Sequence, residues 1–206
     1  LAVIILAAGQ GTRMKSSRPK VLHEIAGVPL LGHVLATAAQ LGAEQVLTVV
    51  RYERDAIAAV VLEQLPSALI VDQDEVPGTG RAVELALSAL PEDFDGQVVV
   101  LSADVPLLDA ATIEGLVASH SASGNSLTLL SANFPDPTGF GRIVRSADGT
   151  FDSIVEQKDA AEHELQITEV NAGVYVFGAS ALRAALLSHD EAALARLADG
   201  ADVVVH

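Results

Sequence analysis

The chain has 206 residues, 50% of them apolar and only 3% aromatic, enough for one domain whose core is Val, Leu, Ile and Ala. It has no cysteine, which excludes disulfides, a thiolate nucleophile and a Cys-based zinc site and makes a reducing cytoplasm the expected setting. With 12 Lys and Arg against 27 Asp and Glu, the net charge of −15 argues against a surface for phosphate backbones, so no nucleic-acid partner is expected.

The first element is the apolar run Ala2 to Ala7. It is far shorter than the ~20 residues of a membrane span and lacks a basic lead, so no membrane partner is expected. Similar runs follow at Gln45 to Val50, Ala68 to Val71 and Gln97 to Leu101. Their lack of polar alternation predicts strands covered on both faces. Between them, apolar residues at helical spacing predict helices from Leu30 to Leu41, Arg54 to Leu65 and Arg81 to Leu90. Alternating strand and helix predicts an α/β fold with right-handed crossovers and a Rossmann-like, mostly parallel sheet flanked by helices.

After Ser123 the pattern changes to strand-like segments at Ser126 to Ser131, Gly141 to Arg145, Thr150 to Glu156 and Glu169 to Phe177, with turns such as SADG between them. These predict added antiparallel strands and two halves, 1–123 and 124–206. The segment GASALRAALLS reads as a further helix.

The first strand ends in AAGQGTR, which places Gly9 and Gly11 at the carboxyl edge of the sheet, where open α/β folds bind ligands. Glycines let backbone N–H groups approach a phosphate, and the Thr12 hydroxyl adds a donor. By themselves the two glycines equally describe an ordinary βα turn, and the spacing matches neither GxGxxG nor a Walker loop. Four of the chain's twelve cations nevertheless follow within eight residues, at Arg13, Lys15, Arg18 and Lys20. Arg forks onto phosphate oxygens and Lys supplies a point charge, although Lys15 and Arg18 also read as solvated loop residues. Downstream, Gly78-Thr79-Gly80 reads as a tight turn opening a helix. Asp104 ends a buried strand, where a carboxylate suits Mg²⁺. Asp109, just before AATIEGLV, reads as an N-cap. None of the six histidines recurs at metal-ligand spacing.

The stretch LAAGQGTRMKSSRPKVLHEIAGVPLL resembles the signature of the sugar-1-phosphate nucleotidyltransferases, LAAGxGTRM followed by PK. Its PKVLHEIAG form is most similar to the uridyltransferase (pyrophosphorylase) domain of the bifunctional N-acetylglucosamine-1-phosphate uridyltransferase/glucosamine-1-phosphate acetyltransferase family. The resemblance implies the nucleotide-diphospho-sugar transferase fold, with UTP and N-acetylglucosamine-1-phosphate as substrates, Mg²⁺ as cofactor and a cell-wall precursor as product. It implies Arg13 on the leaving pyrophosphate, Lys20 on the α-phosphate and sugar phosphate, and Asp104 on the metal. Leu6, Ala7, Ala8, Gly9, Gly11 and Thr12 would surround the nucleotide, and Gln73, Gly78 and Thr79 the base. Ser102 and Ala103 would contact substrate beside Asp104, although the family often has Gly where Ala103 stands. Gly141, Glu156 and Asn171 would line the sugar pocket in the second half.

Two parts of the family pattern are missing. Where an NNAQGEYYLTD-like segment is expected, SHDEAALARLADG stands, so either there is a deletion near His189 to Glu191 or the numbering runs over a gap. The gap is the expectation, and an intact mass of only 206 residues would refute it. The chain also ends at His206, before the Asn that the family uses as a second metal ligand and before its left-handed β-helix acetyltransferase domain. The resemblance therefore reaches only the uridylyl half, and the homotrimer expected of the full-length form would rest on that other domain. Three alternatives stand beside it: a nucleotidyltransferase for another base or sugar such as a thymidylyltransferase, a non-catalytic nucleotide-sugar-binding domain, and, least favoured, a dinucleotide-binding oxidoreductase.

Overall fold

The computed structural model describes residues 1–11, 14, 16, 18–187 and 201–205. The expected phosphate contacts Thr12 and Arg13, and the segment near 189–191, lie outside the described residues. The chain divides into two compact units, Leu1–Glu114 and Gly115–His206.

In the first unit, β1 (Ala2–Leu6) is followed by the two-residue strands β2 (Glu24–Ile25) and β3 (Val28–Pro29), which pair with each other. Then come α1 (Leu30–Gln40), β4 (Gln45–Val50), α2 (Arg54–Gln64), β5 (Leu69–Asp72), α3 (Thr79–Ser88) and β6 (Gln97–Ser102). β1 lies between β4 and β6, and β4 pairs with β5, all in parallel. The chain therefore winds outward from β1 through β4 to β5 and then returns to β1's other side as β6. That reversal is a topological switch point, and it opens a crevice at the carboxyl ends of β1 and β6. Consecutive residues Val3, Ile4 and Ile5 are fully buried, as are Val98 and Val99. Burying each such side chain contributes roughly 1.5–3 kcal/mol, which explains why these strands carry unbroken apolar runs.

Asp109 caps α4 (Ala110–Ser123), its Oδ1 accepting the Thr112 N–H at 2.7 Å, and the division between the units falls within this helix.

The second unit contains β7 (Leu127–Asn133), β8 (Arg142–Arg145), β9 (Phe151–Val155), β10 (Glu169–Gly178), α5 (Ala179–Leu187) and β11 (Ala201–Val205). β10 pairs antiparallel with β7 and with β8, and β8 pairs antiparallel with β9. The added antiparallel strands are thus present. β11, which the sequence pattern does not single out, runs parallel to β7. Most other differences from the sequence reading are end effects of one or two residues. α3, for example, starts at Thr79 rather than Arg81 because Gly78 supplies its N-cap.

Candidate active site

A cavity of about 620 Å³ opens at the carboxyl ends of β1, β4, β5 and β6. Of the residues the sequence pointed to, Leu6, Ala8, Gly9, Gly11, Lys20, Gln73, Gly78, Thr79, Ser102 and Asp104 all line it. Ala7 and Ala103, expected as substrate contacts, do not. Both are buried, and their N–H groups are taken by Val49 O at 2.8 Å and Leu6 O at 3.1 Å.

Gly11 is required twice over. Its φ of +62° favours glycine, and a Cβ there would stand 2.7 Å from the Cβ of Lys20. At Gly9, by contrast, an added Cβ would meet nothing within 4 Å, so the loop faces open space in front of its backbone. Pro19 turns the chain into a short 3₁₀ segment, Lys20–Leu22, whose Val21 and Leu22 are buried. That anchor carries Lys20 back beside Gly11 and onto β6's end, where its ammonium donates to Asp104 Oδ2.

Lys20 and Asp104 are both partly exposed, at 40% and 28%. Burial pushes the Asp104 carboxyl up, but the Lys20 ammonium and the Ser102 hydroxyl outweigh it and hold it below its ordinary value. Asp104 is therefore an anion at neutral pH. It is the sole carboxylate among the residues lining the cavity, and the described residues contain no cluster of three or more metal-ligating groups. One carboxylate fits Mg²⁺ where substrate phosphates and water complete the shell, because Mg²⁺ is commonly held that way.

At the other end of the cavity Gln73 folds back on its own turn, its Nε2 donating to Val76 O at 3.0 Å and to Gly78 O at 3.1 Å. With both amide hydrogens used, the side chain offers Oε1 as its remaining hydrogen-bonding group. Sequence reasoning missed Arg51 and Tyr52, which also line the cavity, the guanidinium carbon 5.2 Å from the ring centroid. Their position at the end of a parallel strand was the signal that could have found them.

In the second unit, Gly141, Glu156 and Asn171 come together. Gly141 O accepts the Asn171 N–H at 2.9 Å, joining β8's start to β10. A Cβ on Gly141 would stand 3.3 Å from Glu156 Oε1 and 3.0 Å from Ile154 Cγ2, so the glycine lets the carboxylate lie close. The Asn171 side chain sits at an irregularity in β10, where its Oδ1 accepts the Gly173 N–H at 3.0 Å and its Nδ2 donates to Tyr175 Oη at 2.6 Å. One Nδ2 hydrogen and one Oδ1 lone pair are left over. Tyr175, not anticipated from the sequence, has its phenol pushed up by burial, with the Glu156 charge adding to the effect.

The model of the MobA-like NTP transferase domain family matches residues 3–197. Bifunctional protein GlmU of Clavibacter sepedonicus is 62% identical over 207 residues, covering 99% of this chain and 42% of that protein. Bifunctional protein GlmU of Leifsonia xyli subsp. xyli is 59% identical over 183 residues, covering 89% and 38%. The chain thus spans about two fifths of the length of these relatives. A Bacillus anthracis structure assigned as a glucose-1-phosphate thymidylyltransferase matches with a TM-score of 0.76 at 17% identity, covering 99% of this chain and 86% of that one, a likeness of fold alone.

Proposed function

The chain belongs to the MobA-like NTP transferase domain family, and from that premise we propose that it transfers a uridylyl group from UTP to N-acetylglucosamine-1-phosphate. The products are UDP-N-acetylglucosamine, a cell-wall precursor, and pyrophosphate. The observation that carries this reading is the meeting of an open glycine loop, the Lys20 ammonium and the Asp104 carboxylate in one cavity. High identity to proteins named GlmU supports the choice of base and sugar.

The second pKa of a phosphate monoester is ~6, so the sugar phosphate is largely dianionic near neutrality and attacks the α-phosphorus without a general base. The chain's task is then positioning and charge neutralisation. The backbone at Gly9 and Gly11 receives the triphosphate, Lys20 supplies a point charge to the α-phosphate and sugar phosphate, and Arg13 serves the leaving pyrophosphate. Asp104 is the residue to hold Mg²⁺, which when bound supplies further charge neutralisation at the phosphates.

Gln73, with only Oε1 to offer, accepts a hydrogen bond from the base. Uracil and thymine present N3–H to an acceptor, whereas cytosine has a bare N3 and donates only through its C4 amino group, so an amide oxygen set opposite N3 favours the first two. Glu156 and Asn171 meet hydroxyls and the N-acetyl group, and a site built to hydrogen-bond those groups disfavours analogues lacking them. The proposed setting is the cytoplasm. Among the described residues no helix is long and apolar enough to cross a membrane.

The test is Mg²⁺-dependent pyrophosphate release across a panel of four nucleoside triphosphates and several sugar-1-phosphates. Release preferring UTP with N-acetylglucosamine-1-phosphate is expected. A preference for another pair would reassign the substrate, and nucleotide binding without release would make the chain a sensing domain.

A further inference from the structure

Arg142 is 1% exposed and is among the largest fully buried side chains of the protein. A guanidinium in such a place is ordinarily paired with a carboxylate, because burying a lone charge is costly. Here no carboxylate is in ion-pair contact with it among the described residues, although Asp136 feels its charge. Its Nη1 donates to Phe140 O, its Nη2 donates to Gln157 Oε1 at 2.8 Å, and its Nε has no partner among the described residues. Gln157 Oε1 also accepts the Gly139 N–H at 3.1 Å. One buried fork and one amide oxygen therefore tie residues 139 and 140 to residue 157.

The tied residues are the chain neighbours of Gly141 and Glu156. Gly141 follows Phe140, and Glu156 precedes Gln157. The Glu156 carboxylate lies so close to Gly141 that a methyl group would crowd it. Gly141 O in turn receives the Asn171 N–H, so a shift of the 139–141 segment moves all three residues of the group. Two planar hydrogen bonds at a fixed spacing are what Arg supplies and Lys does not, since an ammonium is a point donor.

We infer that Arg142 and Gln157 are positioning residues that clamp Gly141 and Glu156 in register for the sugar phosphate, while neither touches the ligand. The inference rests on the uridylyltransfer reading given above. It explains an otherwise costly buried charge: the Arg142 fork holds two chain segments that β-sheet pairing alone leaves to a loop end and a strand end.

The test uses Gln157→Leu, which removes the shared oxygen at similar size, and Gln157→Glu, which keeps an acceptor there. Steady-state kinetics with UTP and N-acetylglucosamine-1-phosphate are compared after melting curves establish folding. For Gln157→Leu the KM for the sugar phosphate should rise about tenfold, the effect of losing a hydrogen bond to a charged group, with KM for UTP and kcat within about twofold of wild type. Gln157→Glu should stay near wild type. A merely structural role would instead move both KM values or neither, whatever the change in melting temperature. If Gln157→Leu fails to melt cooperatively, Gln157→Asn, which withdraws the amide by one methylene, reads the same split. An unmoved sugar KM in a folded variant of an active wild type overturns the clamp alone. A wild type that releases no pyrophosphate overturns the functional reading and the clamp with it.

Discussion

In the proposed reading, the two units meet different recognition problems with different chemistry. In the first, the opposite charges of Lys20 and Asp104 meet at a partly exposed cavity wall. In the second, the group around Gly141 is held by hydrogen bonds to neutral partners, Phe140 O, Gln157 Oε1, Gly173 N–H and Tyr175 Oη, and among the described residues its buried Arg142 has no carboxylate in ion-pair contact. Charge acts over distance and suits phosphates whose bonding changes during reaction, whereas directed hydrogen bonds suit a sugar that must be told from its isomers. The contrast predicts that substitutions in the first unit lower turnover and those in the second raise the KM of one substrate.

The largest effect is expected at Asp104→Asn and Lys20→Met. Each should fold, as melting curves would show, and lose ~10²–10³ in kcat, the scale for one preorganised electrostatic contact. Near-normal turnover in both would break the comparison. Next comes Gln73→Leu, which removes the only free hydrogen-bonding group of that side chain. The preference for UTP over CTP should fall about tenfold in kcat/KM, corresponding to one hydrogen bond. An unchanged ratio would move base selection to other residues, Arg51 first among them.

A smaller change is expected at Gly141→Ala, where the added methyl would press on Ile154 and Glu156. The sugar-phosphate KM should rise by a few-fold with kcat little changed, because the Glu156 side chain has room to yield by a few tenths of an ångström. Equal effects on both substrates would place the glycine outside the sugar site. The smallest effect concerns acid stability. Arg145 and Ser131 hold the Glu169 carboxyl below its ordinary value, so this contact stabilises the fold fully above the unfolded carboxyl range and loses its effect as pH falls through the lowered folded value. Melting temperatures recorded from neutrality down through the carboxylate range should fall less steeply for Glu169→Gln than for wild type, and parallel curves would contradict this.

Most of the fold could be read in the sequence because its signals are local. The unbroken run AVIIL, the helical spacing of Leu31, Val34, Leu35 and Ala38, and the Asp109 cap all report on themselves. β2 and β3 escaped because two-residue strands carry no period, and β11 because its pairing with β7 is set far away in the chain. That the glycine loop, Lys20 and Asp104 share one cavity was expected mainly from the resemblance, since the glycines alone equally describe an ordinary turn. Ala7 and Ala103 do not line the cavity, because a motif does not say which backbone groups the sheet already uses. Arg142 was invisible for a related reason. An arginine in a strand reads as a solvent-facing residue, and only the fold shows that two carbonyl oxygens await it.

The most direct test of the account is to identify the product formed from UTP, N-acetylglucosamine-1-phosphate and Mg²⁺ by mass, with pyrophosphate measured alongside. The account predicts UDP-N-acetylglucosamine and pyrophosphate in equal amounts, with both lost in Lys20→Met. Intact UTP bound to a folded chain, or equal turnover of wild type and Lys20→Met, would contradict it.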